Sequence, residues 1–202
     1  GLMGSGATLS ALISMPIESR PDNSADLSGF AGLHGIPYHE VADINSEESL
    51  DLLRRYSPDY LFSTWPKIIE PEVLSTPRFY CVGSHPTELP HNRGRHPLHW
   101  LISQGIRKSH LSFFRMDESV DSGNILLQIP YEVSDESVIG DLNALVNEAA
   151  LKGTKSLAAR LAEEHLIGAF NGQSIGQNRT GGTSTNNDVI VDHISPLPHA
   201  SF

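Results

Sequence analysis

Cysteine is almost absent: Cys81 stands alone in 202 residues, so no disulfide can close within the chain and a zinc site built on paired cysteines is excluded. A reducing, cytoplasmic setting is the expectation that follows. Long apolar runs are missing too. None approaches the roughly 18 residues that a membrane-spanning helix requires, so no membrane partner is expected. Runs of basic residues are also lacking: 14 Lys and Arg face 24 Asp and Glu, for a formal net charge of −10. Proteins that neutralise nucleic-acid phosphates gather cations into a patch, so nucleic acid is not the expected partner. A small anionic ligand held by a few local Arg or Lys stays compatible with that charge. Ten His are present, yet no His-Glu-x-x-His or Cys/His frame accompanies them, and no catalytic metal is expected. Ser84 lacks the flanking glycines of a nucleophile elbow, which argues against a serine hydrolase.

With 39% hydrophobic and 19% charged residues, the composition is that of a globular domain with a buried core. Residues 1–170 read as that domain and 171–202, rich in Gly, Asn, Ser and Thr, as a polar extension or tail. GLMGSG reads as a strand end turning through glycines into a helix over ATLSALIS. A short helix closes near Gly35, and IPYHEVADI has strand alternation. Asn45-Ser46-Glu47-Glu48 supplies helix-capping chemistry, with Leu50, Leu53 and Tyr56 following at helical spacing. DYLFSTW, RFYCVGSH, HLSFFRM and NILLQIPYEV read as strands, PEVL and HPLHWLISQG as helical. One long helix is expected from Asp135 to about Gly168, or two broken near Gly153. Strands alternating with helices predict an α/β fold, a mostly parallel twisted sheet flanked by helices. Ligands of such sheets gather at the carboxyl ends of strands, an edge that His85 and the DESVDSG turn are expected to share.

HPTELPHNRGRHPLHW, residues 85–100, holds four His, two Arg, three Pro and a Trp. His85 at a strand end, the Arg-Gly-Arg loop at 93–95 and Asp121 in a turn offer a proton-transfer pair beside an anion site. The residues alone favour the plainer reading, a histidine that caps a loop and an aspartate that steadies a turn. His96, His99 and Trp100 read as the start of a helix that they help to pack.

The order of these features resembles the catalytic domain of the folate-dependent formyltransferases, the family of glycinamide ribonucleotide transformylase, methionyl-tRNA formyltransferase and the sugar N-formyltransferases. That family's pattern is a strand ending in Asn-x-His, a Leu-Pro and Arg-Gly loop, then a strand and an Asp-x-Gly turn. His85, Leu89-Pro90, Arg93-Gly94, Pro97 and Asp121-Ser122-Gly123 fall on it. The likeness extends upstream through GIPYHEVADI and DYLFSTWPKIIEPEVL. It implies a Rossmann-like domain, 10-formyltetrahydrofolate as co-substrate and no metal.

By the same resemblance, His85 and Asp121 are the catalytic pair. Thr64, Trp65, Lys67, Ile68 and Ile69 line one wall of the folate pocket, with Asp117 and Val120 on the other; core packing also accounts for Ile68 and Ile69. Asn92, Arg93 and Arg95 lie on the acceptor side. The implied reaction is formyl transfer to a primary amine, with a nucleotide-linked amino sugar the first expectation because no basic tRNA-binding segment follows Gly168. A methionyl-tRNA formyltransferase-like protein, a formyltetrahydrofolate hydrolase and a folate binder with impaired catalysis are the alternatives, and a homodimer is compatible. The chain departs from the pattern at Gly83, where the family's Asn is expected. Asn92, Ser84 or a water are the candidates for a replacement donor.

Overall fold

The computed structural model describes residues 2–4, 7–21, 24–170 and 188–192, with the backbone alone for 163–170 and 188–192. After a 3-10 turn at Leu2–Gly4 come β1 (Thr8–Ser14), α1 (Ser28–His34), β2 (Tyr38–Glu40), α2 (Glu47–Tyr56), β3 (Tyr60–Ser63) and α3 (Pro71–Leu74). Then follow β4 (Tyr80–His85), α4 (Pro97–Ser103), β5 (Lys108–Arg115), β6 (Ile125–Glu132), α5 (Ile139–Phe170) and β7 (Asp188–Asp192). The strands form one sheet in the order β2-β1-β7-β3-β4-β5-β6. β2, β1, β7, β3 and β4 pair in parallel, and β5 and β6 pair antiparallel at one side. This is the mostly parallel α/β sheet that the element order predicts.

ATLSALIS is a strand, not the expected helix. A short apolar run has no periodicity to distinguish the two states, and burial decides: Ala11, Leu12 and Ile13 are at most 1% exposed between two neighbouring strands. The segment 171–202, read as a polar extension, supplies β7 to the middle of the sheet; its remaining residues lie outside those described.

The period-2 alternation of side chains divides the core cleanly. Leu12, Tyr60, Phe62, Val82, Leu111 and Phe113 face one layer, packed with Ala149, Leu157 and Leu161 of α5. Ala11, Ile13, Leu61 and Cys81 face the other, under Leu50 and Leu53 of α2 and Val73 of α3. Gly83 and His85 continue the Cys81 side of β4, so both lie on the face opposite α5.

Local chemistry explains the helix ends. The Ser46 hydroxyl accepts the Ser49 N–H at 3.2 Å, and Glu47 and Glu48 in the first turn with Arg54 and Arg55 in the last complement the helix dipole. Gly35 closes α1 in the left-handed region at φ 64°. In α4, Leu98 and Leu101 are the packed residues, whereas Trp100 is 54% exposed and His96 and His99 face outward. The histidines and Trp100 therefore do not pack this helix as the sequence suggests.

α5 passes Gly153 unbroken. A β-carbon there would run into the Phe113 ring and come within 2.9 Å of Ile129, so the glycine lets the helix lie directly on β5 and β6. Gly153→Ala gains about 1 kcal/mol of helix propensity but overpacks this contact at about 1–3 kcal/mol. A net loss of stability is expected, read as a lower urea midpoint; a stabilised variant would show that the seat is loose.

Candidate active site

His85, the last residue of β4, is 5% exposed. Its Nε2 lies 2.8 Å from the backbone carbonyl of Asn92, an acceptor, so this nitrogen carries a proton and donates. Its Nδ1 lies 3.4 Å from Oδ2 of Asp121. The same carboxylate oxygen accepts the Gly94 N–H at 2.9 Å. One carboxylate thus joins His85 to the middle of the Arg93-Gly94-Arg95 loop.

Asp121 reaches His85 by an unexpected route. β5 runs antiparallel to β4, with His85 opposite Ser112 and Val82 opposite Arg115. The turn after β5 consequently leaves near Cys81, whose carbonyl accepts the Met116 N–H at 2.9 Å. It begins at the opposite end of β4 from His85, not beside it, and its Asp121 reaches back over the sheet face.

The turn's own chemistry makes that return tight. Asp117 Oδ1 accepts the Ser119 N–H at 3.0 Å and the Ser122 hydroxyl at 2.6 Å. Asp121 has φ 51°, a left-handed conformation uncommon outside Gly, Asn and Asp. Gly123 is required here, because a β-carbon would collide with the Arg115 carbonyl oxygen.

The loop that carries Asn92 is held from beneath by residues that the sequence pattern does not single out. Ser112, fully buried in β5, accepts the Leu89 N–H at 3.0 Å and the Gln128 side-chain amide at 2.9 Å, and donates to the Thr87 carbonyl at 2.7 Å. Gln128 also donates to the Leu89 carbonyl at 3.1 Å. The Thr87 hydroxyl donates to the carbonyl of His91 at 3.1 Å, with that of Asn92 at 3.3 Å. The Tyr131 hydroxyl donates to the Pro86 carbonyl, and burial raises its phenol above the ordinary value, which keeps it a donor. The Leu89–Pro90 peptide within this loop is cis. The available sequence signal is a serine set between Leu111 and Phe113-Phe114, the apolar part of this strand.

The space at Gly83 is filled. A β-carbon would lie 2.8 Å and 3.0 Å from Phe114 ring atoms and 3.0 Å from Met116. Ser84 falls on the opposite face of β4 from His85 by strand alternation, and Asn92 presents its backbone carbonyl to His85. Among the other predicted positions, Arg93 and Arg95 are exposed on either side of Gly94, and neither is in an ion pair among the described residues. Trp65 and Ile69 are 8% and 5% exposed inside the α2–α3 core layer, while Ile68 is 71% exposed beside exposed Thr64 and Lys67. Val120 is 58% exposed, and the Asp117 carboxylate is engaged within its turn. No cluster of His, Cys, Asp and Glu able to hold a metal occurs among the described residues. A surface depression lined by Glu48, Asp51, Arg54 and Arg55 lies on α2, away from this chemistry.

Residues 26–156, more than half of the chain and including both His85 and Asp121, match the sequence profile of the family described as formyl transferase. The chain belongs to the formyl transferase family. A methionyl-tRNA formyltransferase of Bacillus cytotoxicus is 31% identical over 117 residues, covering 57% of this chain and 37% of that protein. One from Ruminiclostridium cellulolyticum is 28% identical over 166 residues, covering 82% of this chain and 51% of that protein. The chain therefore spans at most about half the length of these relatives. Among solved structures, a phosphoribosylglycinamide formyltransferase from Bacillus halodurans has a TM-score of 0.63 at 18% identity, over 79% of this chain and 84% of that one. A formyltetrahydrofolate deformylase from Pseudomonas syringae pv. tomato has a TM-score of 0.66 at 20% identity, over 78% of this chain and 52% of that one. At these identities the structural likeness concerns the fold. This formyl transferase fold has no helix long and apolar enough to cross a membrane among the described residues.

Ser112→Ala would leave the Leu89 N–H and the Thr87 carbonyl without the hydroxyl. A loss of about 1–3 kcal/mol is expected, with amide exchange accelerated at Leu89. Unchanged exchange there would show that the loop is held elsewhere.

Proposed function

We propose that the chain carries formyl transfer from 10-formyltetrahydrofolate to a primary amine, with His85 and Asp121 as its catalytic pair. The observation that carries this reading is the connection from buried His85 through half-buried Asp121 to Gly94 in a chain of the formyl transferase family. In the reaction the amine nitrogen attacks the formyl carbon, and a carbon–nitrogen bond forms as negative charge gathers on the formyl oxygen. The Nε2–H of His85, which donates to the Asn92 carbonyl, is shared with this oxygen and stabilises the charge. Asp121 holds the ring through Nδ1 and relays the proton lost by the attacking nitrogen. That proton passes to the folate amine as its bond to the formyl carbon breaks, giving a formamide and tetrahydrofolate.

The filled space at Gly83 supports a single-histidine oxyanion site, walled by Phe114 and Met116, with no side-chain donor from that strand position. Exposed Ile68 and Val120 are the apolar surfaces open to a flat heterocycle. Trp65 and Ile69 act from within the core by seating the 64–69 segment. Arg93 and Arg95 support an acceptor bearing phosphate, as in a nucleotide-linked amino sugar: Asp121 anchors the glycine between them, and both are exposed.

Formylation of nucleotide-linked 3-amino and 4-amino sugars by the purified chain tests the assignment. His85→Asn and Asp121→Asn are each expected to lower kcat by about 10²–10⁴-fold. Equal, non-zero rates in the wild type and both variants would sink the catalytic pair. Formate release without any amine would instead identify a hydrolase, and tight folate binding without turnover a binding module.

Arg93→Ala and Arg95→Ala provide a separate check on the acceptor. Loss of a charge-assisted phosphate contact worth about 1.5–3 kcal/mol is expected to raise KM for the phosphate-bearing sugar by about 10–100-fold. An unphosphorylated amine should be little affected; an equal effect on both amines would place these arginines outside the acceptor site.

A further inference from the structure

We propose that Thr87 is a positioning residue for His85: its hydroxyl donates to the same backbone carbonyl as the imidazole and compensates that carbonyl when the formyl oxygen draws on the His85 N–H. The role in turnover rests on the formyl-transfer reading above, whereas the shared carbonyl is a feature of the fold alone. The Asn92 carbonyl oxygen lies 2.8 Å from Nε2 of His85 and 3.3 Å from the Thr87 hydroxyl. A carbonyl oxygen has two lone pairs, so it accommodates both donors, each weakened by the other. The Thr87 hydroxyl has one proton and a second acceptor, the His91 carbonyl at 3.1 Å. It is therefore divided between two adjacent carbonyls, one of which serves the histidine.

Three observations separate Thr87 from the residues that hold the loop in place. The carbonyls of Pro86, Thr87 and Leu89 are held by Tyr131, Ser112 and Gln128. Each of those donors comes from β5 or β6 and meets a different carbonyl from the one that His85 uses, whereas Thr87 belongs to the loop itself. Thr87 is also fully buried, so water does not substitute for its hydroxyl. Asn92 adopts φ 55°, a left-handed conformation that this residue type tolerates, and in it the carbonyl faces both donors at once.

The consequence lies in the charge that gathers on the formyl oxygen. As the Nε2–H is shared with that oxygen, the Asn92 carbonyl loses part of its donor. A partly buried carbonyl left short of a donor opposes the change. The Thr87 proton can leave the carbonyl of His91, an exposed residue, and turn wholly to that of Asn92. The imidazole is then released without stranding its acceptor.

Thr87→Val keeps the shape of the side chain and removes the hydroxyl, and the full chain provides two readouts. Without substrate, the Asn92 carbonyl is left to His85 alone, so the Hε2 proton of His85 is expected to move downfield in NMR and to exchange more slowly with water. With 10-formyltetrahydrofolate and an amine, kcat is expected to fall by about 3–10-fold, the worth of one neutral hydrogen bond, with KM little changed. Thr87→Ser, which keeps the hydroxyl, is expected to restore both. Protection of the Leu89 amide, which donates to Ser112, reports that the loop is intact, and Thr87→Ala repeats the readings if the valine variant does not fold. Faster or unchanged Hε2 exchange, an unchanged kcat in an active enzyme, or no restoration by serine would overturn the proposal; faster exchange would make Thr87 a brace for the loop alone. A wild type that formylates no amine would overturn the formyl-transfer reading instead, and the Hε2 signal would still decide whether the two side chains share the carbonyl.

Discussion

Everything distinctive about this fold's chemistry depends on one carboxylate oxygen. Oδ2 of Asp121 accepts the Gly94 N–H and faces the His85 ring, so it fixes both the loop after β4 and the residue that ends β4. The second ring nitrogen meets the Asn92 carbonyl, and that carbonyl belongs to the same loop. His85 is therefore gripped between two parts of one closed circuit: strand, loop, carboxylate and strand again. The orientation of the imidazole is a property of this circuit, which the Asp121 carboxylate closes.

The circuit closes because the sheet changes direction beside it. Parallel strands on the β1 side deliver His85 at their carboxyl end, and antiparallel β5 carries the chain back past it before the turn folds over the face. A purely parallel sheet would place the next turn on the far side of a crossover. The backbone conformation at Asp121 and the glycine two residues later are the local conditions for this return. Ser112, Gln128, Thr87 and Tyr131 meet the other condition, a loop whose carbonyls are held in place. Buried polar groups are costly unless satisfied, and here their partners are backbone groups of a loop that has no secondary structure of its own.

Much of this was legible in the sequence where a local rule acts without competition. Gly35, Ser46 and Pro71 mark helix ends by backbone and capping chemistry, and α1, α2 and α3 follow. His85 and Asp121 could be singled out through a pattern spread over about forty residues, although their mutual geometry could not. What the sequence withheld depends on tertiary context. β1 has no periodicity of its own, and its state is set by the strands on either side. Trp100 looks like a core residue by type, but Leu98 and Leu101 take the buried face of α4. Gly83 reads as a missing side chain until Phe114 and Met116 are seen to occupy the space. β7, embedded in a polar segment, pairs with strands far away in the sequence.

Phe113 and Phe114 are neighbours in β5 that point to opposite layers, and each rests on a glycine. Phe113 lies against Gly153 of α5, and Phe114 against Gly83 beside His85. β5 is thus a partition whose two sides share a single backbone. Moving it toward the helix draws the aromatic ring away from the site, and moving it away presses the ring in. The space beside Gly83 and the seating depth of the longest described helix are consequently coupled through one strand.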